Sequence, residues 1–196
     1  MKRTHFFLVI FLALAVVALA ACGGSKEPII EKPASEINLS LEDLGEGWTL
    51  TQEADGFEGL KSVGIDARSV NIQDGNMRFF AGANPTIQII SMVFVYKSEK
   101  SAEKDMKQAN LGKNVSSPIQ AQIPDMTIET IQLDTVGENQ EVLYGVYEAV
   151  GLHFYTLVFR ENNVGFIVMM MGPEDIANQK ALLTHARTLV SRAAVE

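Results

Sequence analysis

An apolar run that ends at the only cysteine divides this sequence into two unequal parts. Sixteen consecutive apolar residues form Phe6–Ala21, after the cations Lys2 and Arg3, and Cys22 follows directly. A positively charged start, an apolar stretch and small residues at a cleavage point are typical of an export signal. A membrane-spanning helix needs about 20 apolar residues, and this run is shorter. Residues 1–21 are therefore predicted to be a signal peptide, so the fold must be built from the remainder.

The residues around the cysteine make this prediction more specific. Leu19-Ala20-Ala21-Cys22, followed by two glycines, resembles the lipobox of bacterial lipoproteins. The resemblance implies that the Cys22 thiol is alkylated with a diacylglycerol and that cleavage occurs just before it. The predicted partner is then a membrane, reached through the lipid on Cys22, and the predicted location is the extracytoplasmic face of a bacterial membrane. A transmembrane anchor and a plain signal peptide with an incidental cysteine are the alternatives.

The charge and size of the remaining chain limit what it binds. Removal of residues 1–21 leaves 175 residues and takes away two cations, so the net charge moves from −8 to −10. A body of this size can bury one substantial core, and one domain is expected. Nucleic acid is not an expected partner, because its binding depends on neutralisation of phosphates by Lys and Arg.

The segment after the cysteine is predicted to be a flexible tether over residues 22–36. It is rich in Gly, Ser and Pro and alternates in charge, a composition that buries too little surface to offset the entropy of ordering. Ile29 and Ile30 are the exceptions, and they are expected to touch the domain. The folded domain is predicted to cover residues 37–196.

Strand signals dominate this domain and predict an α+β fold with a mainly antiparallel sheet. Ile87–Tyr96 carries apolar residues at both odd and even positions, which indicates a strand covered on both faces in the middle of a sheet. His153–Arg160 and Val164–Met171 are also predicted as interior strands, joined by a tight hairpin. Asp74-Gly75-Asn76 is predicted to be the turn of another hairpin, because Gly and Asn accept positive φ.

Two main helices are predicted near residues 101–111 and 174–193, from apolar positions at helical spacing. Both are expected to cover one face of the sheet. Ser40 is predicted to cap a further short helix. Each half of the chain is thus predicted to contain strands followed by a helix. The two halves share this order of elements, but too few identical residues to be called a repeat.

The sequence predicts no catalytic, cofactor-binding or metal-binding residue. The two histidines of the mature chain, His153 and His185, lie in no metal-chelating spacing, and no nucleophile motif is present. The run Met169–Met171 offers thioethers, but consecutive residues of a strand point to opposite faces and cannot converge on one ion. These methionines are predicted to fill the core. No cofactor is therefore predicted, and Cys22 remains the one assigned site, for lipidation.

The lipobox, the short tether and a small α+β body together resemble bacterial surface lipoproteins. Leu41–Trp48 and Ala186–Arg192 also resemble parts of actinobacterial-type lipoprotein and sensor domains. That resemblance implies a fold and carries no site residue. The predicted function is a non-catalytic binding or envelope-accessory domain whose partner is an unknown protein or small ligand. Asp55–Asp66 and Asn114–Pro124 are its expected contact surfaces, since binding residues concentrate on loops.

Two other functions remain open. An apolar-ligand carrier would show a deep apolar cavity, and an exported hydrolase would show a cleft that joins His153 to acidic side chains.

Overall fold

The computed structural model describes residues 29–64, 71–84, 86–108, 116 and 125–194. The predicted signal peptide, Cys22 and most of the loop at 114–124 lie outside these residues. The described chain forms one seven-stranded antiparallel sheet in the order β1-β2-β3-β7-β6-β5-β4. The strands are β1 Thr49–Asp55, β2 Ile72–Ala81, β3 Gln88–Tyr96, β4 Thr127–Thr130, β5 Glu138–Tyr147, β6 Leu152–Glu161 and β7 Val164–Gly172. The predicted α+β class with antiparallel pairing is confirmed.

Five α-helices and a 3-10 turn at Glu148–Val150 accompany the sheet in the described residues. The helices are α1 Ala34–Ile37, α2 Leu41–Leu44, α3 Gly56–Ser62, α4 Glu99–Gln108 and α5 Gln179–Ala193. The last helix begins later than predicted, because the Asn178 side chain accepts the Ala181 amide and caps it there. None of the helices in the described ranges has the length and apolar character needed to cross a membrane.

β3 and β7 occupy the middle of the sheet and join the two halves of the chain. Their ladder contains eight residue pairs, from Gln88 opposite Met171 to Val95 opposite Val164. Alternate side chains of β3 enter two different apolar clusters, with Ile89 and Val93 in one and Phe94 and Tyr96 in the other. The prediction that this strand is covered on both faces is confirmed, as are the interior positions of β6 and β7.

The two main helices lie on opposite faces of the sheet, so the prediction that they share one face is wrong. Leu182, Ala186 and Leu189 of α5 belong to the cluster of Ile89 and Val93, and we call this side the α5 face. Ala102 and Met106 of α4 belong to the cluster of Phe94 and Tyr96, on the α4 face. The physical reason is that β3 and β7 are apolar on both sides, and one helix cannot cover both.

The positions of the two helices also show how far the two halves of the chain resemble each other. A two-fold axis that exchanged the antiparallel neighbours β3 and β7 would stand perpendicular to the sheet. Such a rotation does not exchange the two faces of the sheet, so two helices related by it would lie on the same face. Because α4 and α5 cover opposite faces, the halves share an order of elements and not a symmetry.

The segment Asp74-Gly75-Asn76 lies inside β2, so the predicted hairpin turn is wrong. The glycine has a packing role instead. A Cβ atom at Gly75 would lie 2.6 Å from Cδ1 of Leu60, the fully buried residue of α3. The Asp74 side chain accepts the Ala34 amide at 2.8 Å. Two residues that are common in turns therefore have other roles in this strand. Gly75 leaves room for the helix α3, and Asp74 binds the backbone of α1.

The N-terminal segment contacts the domain at Ile30, as expected for that residue, and the tether assignment is wrong over Ala34–Glu36, which form most of the helix α1. The Ile30 amide donates to Oδ1 of Asn163 at 2.8 Å, and Nδ2 of Asn163 donates to the Ile30 and Tyr96 carbonyls at 3.0 and 2.8 Å. Asn163 is fully buried, and so is Ala34 in the first helix. One side chain thus satisfies backbone groups that composition alone assigned to solvent. We call Ile30 and Asn163 the N-terminal latch.

After the latch, the N-terminal segment crosses the α5 face, where the buried side chain of Asn38 bonds it to the sheet. Nδ2 of Asn38 donates to the carbonyls of Asn76 and Ser91 at 3.2 and 3.1 Å. Arg192 of α5 donates to the Asn38 carbonyl at 2.6 Å and to Asp43 at 2.7 Å. Buried polar groups are costly unless paired, and these pairs fix the path of the segment from one end of the sheet to the other.

Substitution of Val158 by Asp tests the placement of β6. Val158 is 1% exposed on the α4 face, so an aspartate there would bury an unpaired charge. The free energy of unfolding should fall by about 3 kcal/mol or more, measured by denaturant unfolding. Val150→Asp is the matched control, because Val150 is 60% exposed and its substitution should leave stability nearly unchanged. Equal stabilities for the two variants would contradict this strand assignment.

Candidate functional site

A groove of about 460 Å³ opens on the α5 face, at the end of the sheet where β3 begins and β7 finishes. Its floor is formed by Ile89 and Met170, which are opposite each other in the central ladder. Ligand sites are commonly concave, largely apolar and about 300–1,000 Å³ in volume, so the groove has the size of a small-molecule site.

The N-terminal segment supplies one wall of the groove through Leu44 and Trp48. The position of these residues follows from the short helix α2, where the Asp43 carboxylate accepts the Ser40 amide at 2.7 Å. This confirms the predicted cap at Ser40. Arg192 holds the same carboxylate, so this wall is tied to α5.

The other wall comes from α5 and the turn that precedes it. Ala181, Thr184 and His185 face the groove from the first half of the helix, and its rim carries Asp175, Ile176, Asn178 and Lys180. One wall of the groove is therefore α5 itself, which packs on the sheet. The other wall is joined to α5 by the Arg192–Asp43 hydrogen bond.

The groove and the N-terminal latch lie at opposite ends of the same ladder. Ile89 lies in the groove floor, and Val95 is opposite Val164, the residue next to Asn163. The six residue steps from Ile89 to Val95 span about 20 Å at the rise of an antiparallel strand. The chain therefore enters the domain at one end, and the groove opens at the other.

His185 is the titratable group built most deeply into the groove. Its Nδ1 atom is buried and has no hydrogen-bond partner among the described residues. Burial lowers the pKa of this imidazole, and the nearby Asp43 carboxylate opposes that shift. The ring is thus held in its neutral form beside an apolar surface.

Three aromatic side chains of β5 and β6 lie beside the groove, on the same face of the sheet as Met170 of its floor. Tyr155 is opposite Met170 in the β6–β7 ladder, and Tyr144 is opposite Tyr155 in the β5–β6 ladder. The rings of Tyr144 and Tyr155 are 4.9 Å apart at their centroids, and the Tyr144 hydroxyl is 3.0 Å from Nδ1 of His153. We call Tyr144, His153 and Tyr155 the aromatic patch.

Three exposed carboxylates surround the aromatic patch. Glu129 is opposite Tyr144 in the β4–β5 ladder, Glu148 follows the end of β5, and Glu174 follows the end of β7. Desolvation raises the pKa of the Tyr144 hydroxyl, and the negative charges of Glu174, Glu148 and Glu129 raise it further. The patch therefore lies in a negative electrostatic field.

The groove was not predicted from sequence. Of the two expected contact surfaces, Asp55–Asp66 contains the helix α3, whose Leu60 is buried in the core, and Asn114–Pro124 lies outside the described residues except for residue 116. The residues that line the groove are mostly apolar and carry no motif. Trp48, the only tryptophan, was the one signal that could have marked a half-buried wall.

The two histidines considered for catalysis occupy different settings. The ring partner of His153 is the neutral Tyr144 hydroxyl, and His185 lies in the groove. Of the methionine run, Met170 faces the groove while Met169 and Met171 alternate with it along β7. Within the described ranges, no three His, Cys, Asp or Glu side chains lie close enough together to hold a metal ion.

Comparison with known proteins shows the fold and not the function. No protein-family model matches the chain, and no curated protein matches it. The crystal structure of the extracellular domain of PknH from Mycobacterium tuberculosis is similar, with a TM-score of 0.57 and 10% sequence identity. The alignment covers 86% of this chain and 98% of that domain. The resemblance to actinobacterial-type domains is therefore supported as a likeness of fold.

The neutral state of His185 predicts a pH dependence of stability. Its pKa is lower in the folded chain than the ordinary value of about 6.5, so the unfolded chain takes up the proton more readily. Above about pH 6.5 this difference in pKa has no effect on the free energy of unfolding. As the pH falls below that value, protonation of the unfolded chain lowers the free energy of unfolding progressively. Denaturant unfolding at pH 7.5 and pH 5 should show a smaller decrease for His185→Gln than for the parent chain. Identical decreases would mean that His185 is not buried in neutral form.

Proposed function

We propose that this protein is a lipid-anchored, extracytoplasmic and non-catalytic binding domain whose binding site is the groove. The observation that carries this proposal is the position of the groove, at the end of the domain opposite the point where the chain enters. The lipobox-like residues at Cys22 support the anchor, and the likeness to an extracellular domain supports the location.

The geometry of attachment follows from the sequence and the latch. Seven residue steps separate Cys22 from Ile29, and they reach at most about 25 Å when fully extended. The latch end of the domain therefore stays near the lipid, and the groove faces away from it. A site on the far end is accessible to ligands or partners in the surrounding space.

The alternatives predicted from sequence receive less support. A carrier encloses its apolar ligand, whereas this groove is open along one side and has charged residues at its rim. A hydrolase that uses His153 needs an acidic partner to orient the ring, and the ring instead meets Tyr144. Binding at an open surface is the function that the described side chains favour.

Binding of a neutral apolar dye, N-phenyl-1-naphthylamine, tests the groove. The chain from residue 22 onward, with Cys22→Ser to prevent acylation, should bind the dye and change the emission of Trp48. Thr184→Phe should weaken binding by about tenfold, because Thr184 lines the groove and a phenyl ring would fill part of it.

Thr188→Phe is the matched control for this experiment. Thr184 and Thr188 each donate a hydrogen bond to the carbonyl four residues earlier in the same helix, but Thr188 does not line the groove. The control variant should bind the dye like the parent chain. Absence of dye binding, or equal binding by both variants, would contradict the groove as the binding site.

A further inference from the structure

We propose that the groove and the aromatic patch together bind an organic ammonium group carried on an apolar chain. In this arrangement the cation lies on Tyr144, and the chain extends over Met170 toward Trp48. The inference rests on the proposed binding function and adds the chemical class of the ligand.

Continuity of the surface is the first argument. Tyr144, Tyr155 and Met170 are successive partners across β5, β6 and β7, and all three belong to the α5 face. Met170 forms the floor of the groove. Strands in a sheet are about 4.8 Å apart, so the rings and the groove floor lie within reach of one short ligand.

The aromatic rings provide the second argument. Tyr144 is half-buried and stands beside the ring of Tyr155 at a centroid distance of 4.9 Å. A cation within about 6 Å of an aromatic ring is attracted by the ring quadrupole. A quaternary ammonium also loses its water at a smaller free-energy cost than a small inorganic ion, because its charge is spread over a larger, carbon-covered surface.

Charge complementarity is the third argument and selects a cation over an anion. Glu129 lies directly across from Tyr144, and Glu148 and Glu174 add to the negative field at its hydroxyl. Lys180 shares the groove rim with Asp175, and Arg187 of α5 is 3.6 Å from Asp134.

Three probes with straight eight-carbon chains separate charge from apolar contact: octyltrimethylammonium, 1-octanol and octanoate. Titration calorimetry with the chain from residue 22 carrying Cys22→Ser should show octyltrimethylammonium binding about tenfold more tightly than 1-octanol. Octanoate should bind more weakly than 1-octanol. Added salt should weaken binding of the ammonium probe and leave 1-octanol unaffected.

Substitutions locate the cation on the patch. Tyr144→Leu should weaken the ammonium probe roughly three- to fivefold, whereas Tyr144→Phe keeps a ring and should retain most of the affinity. Glu129→Gln and Glu174→Gln should each weaken it roughly two- to fivefold. Glu103→Gln on the other face of the sheet, where Glu103 pairs with Lys107, is the matched control and should have no effect.

The outcomes distinguish this inference from the function on which it rests. Equal binding of all three probes, or equal affinity in Tyr144→Leu and Tyr144→Phe, would overturn the ammonium assignment while dye binding still supports the groove. Failure of the ammonium probe to bind a chain that binds the dye would overturn it as well. Failure of the dye itself would refute the proposed function.

Discussion

The antiparallel ladder between β3 and β7 is the constraint on which the rest of this structure depends. It joins residues that are 83 positions apart at one end, Gln88 opposite Met171, and 69 apart at the other, Val95 opposite Val164. At one end the pair Ile89 and Met170 forms the groove floor. At the other end Asn163 holds the entering chain. Attachment and candidate binding are therefore separated by the length of one rigid pair of strands.

The strands were predictable because their signal is local. Apolar residues at both odd and even positions of β3, and the long apolar run of β7, identified the middle of the sheet. The β6–β7 turn uses Asn162 at φ 53°, a conformation that Asn adopts readily. The faces covered by α4 and α5 were not predictable in the same way. A strand that is apolar on both sides gives no information on which helix covers which side, since long-range connections decide it.

The errors share a physical cause, since they all concern residues whose partners are distant in sequence. Gly75 and Asp74 have turn chemistry, but their roles are set by Leu60 and Ala34. Ala34 lies in a composition typical of tethers, and its amide donates to the Asp74 carboxylate, 40 positions later. The candidate site has the same property: Trp48, Ile89, Met170 and His185 come from four separate segments of the chain, and none stands in a recognisable motif.

The location of the two ends relative to a membrane tests the central claim most directly. The processed, acylated protein would be reconstituted into vesicles that contain brominated lipids, and quenching of Trp48, the only tryptophan, would be measured. A matched variant moves the tryptophan to the latch end by Trp48→Phe and Ile29→Trp. Strong lipid quenching is expected at position 29 and little at position 48, with Trp48 as accessible to aqueous iodide as in the unacylated Cys22→Ser protein. Strong quenching of Trp48 by the brominated lipid would show that the groove faces the membrane, which contradicts the proposed separation of attachment and binding.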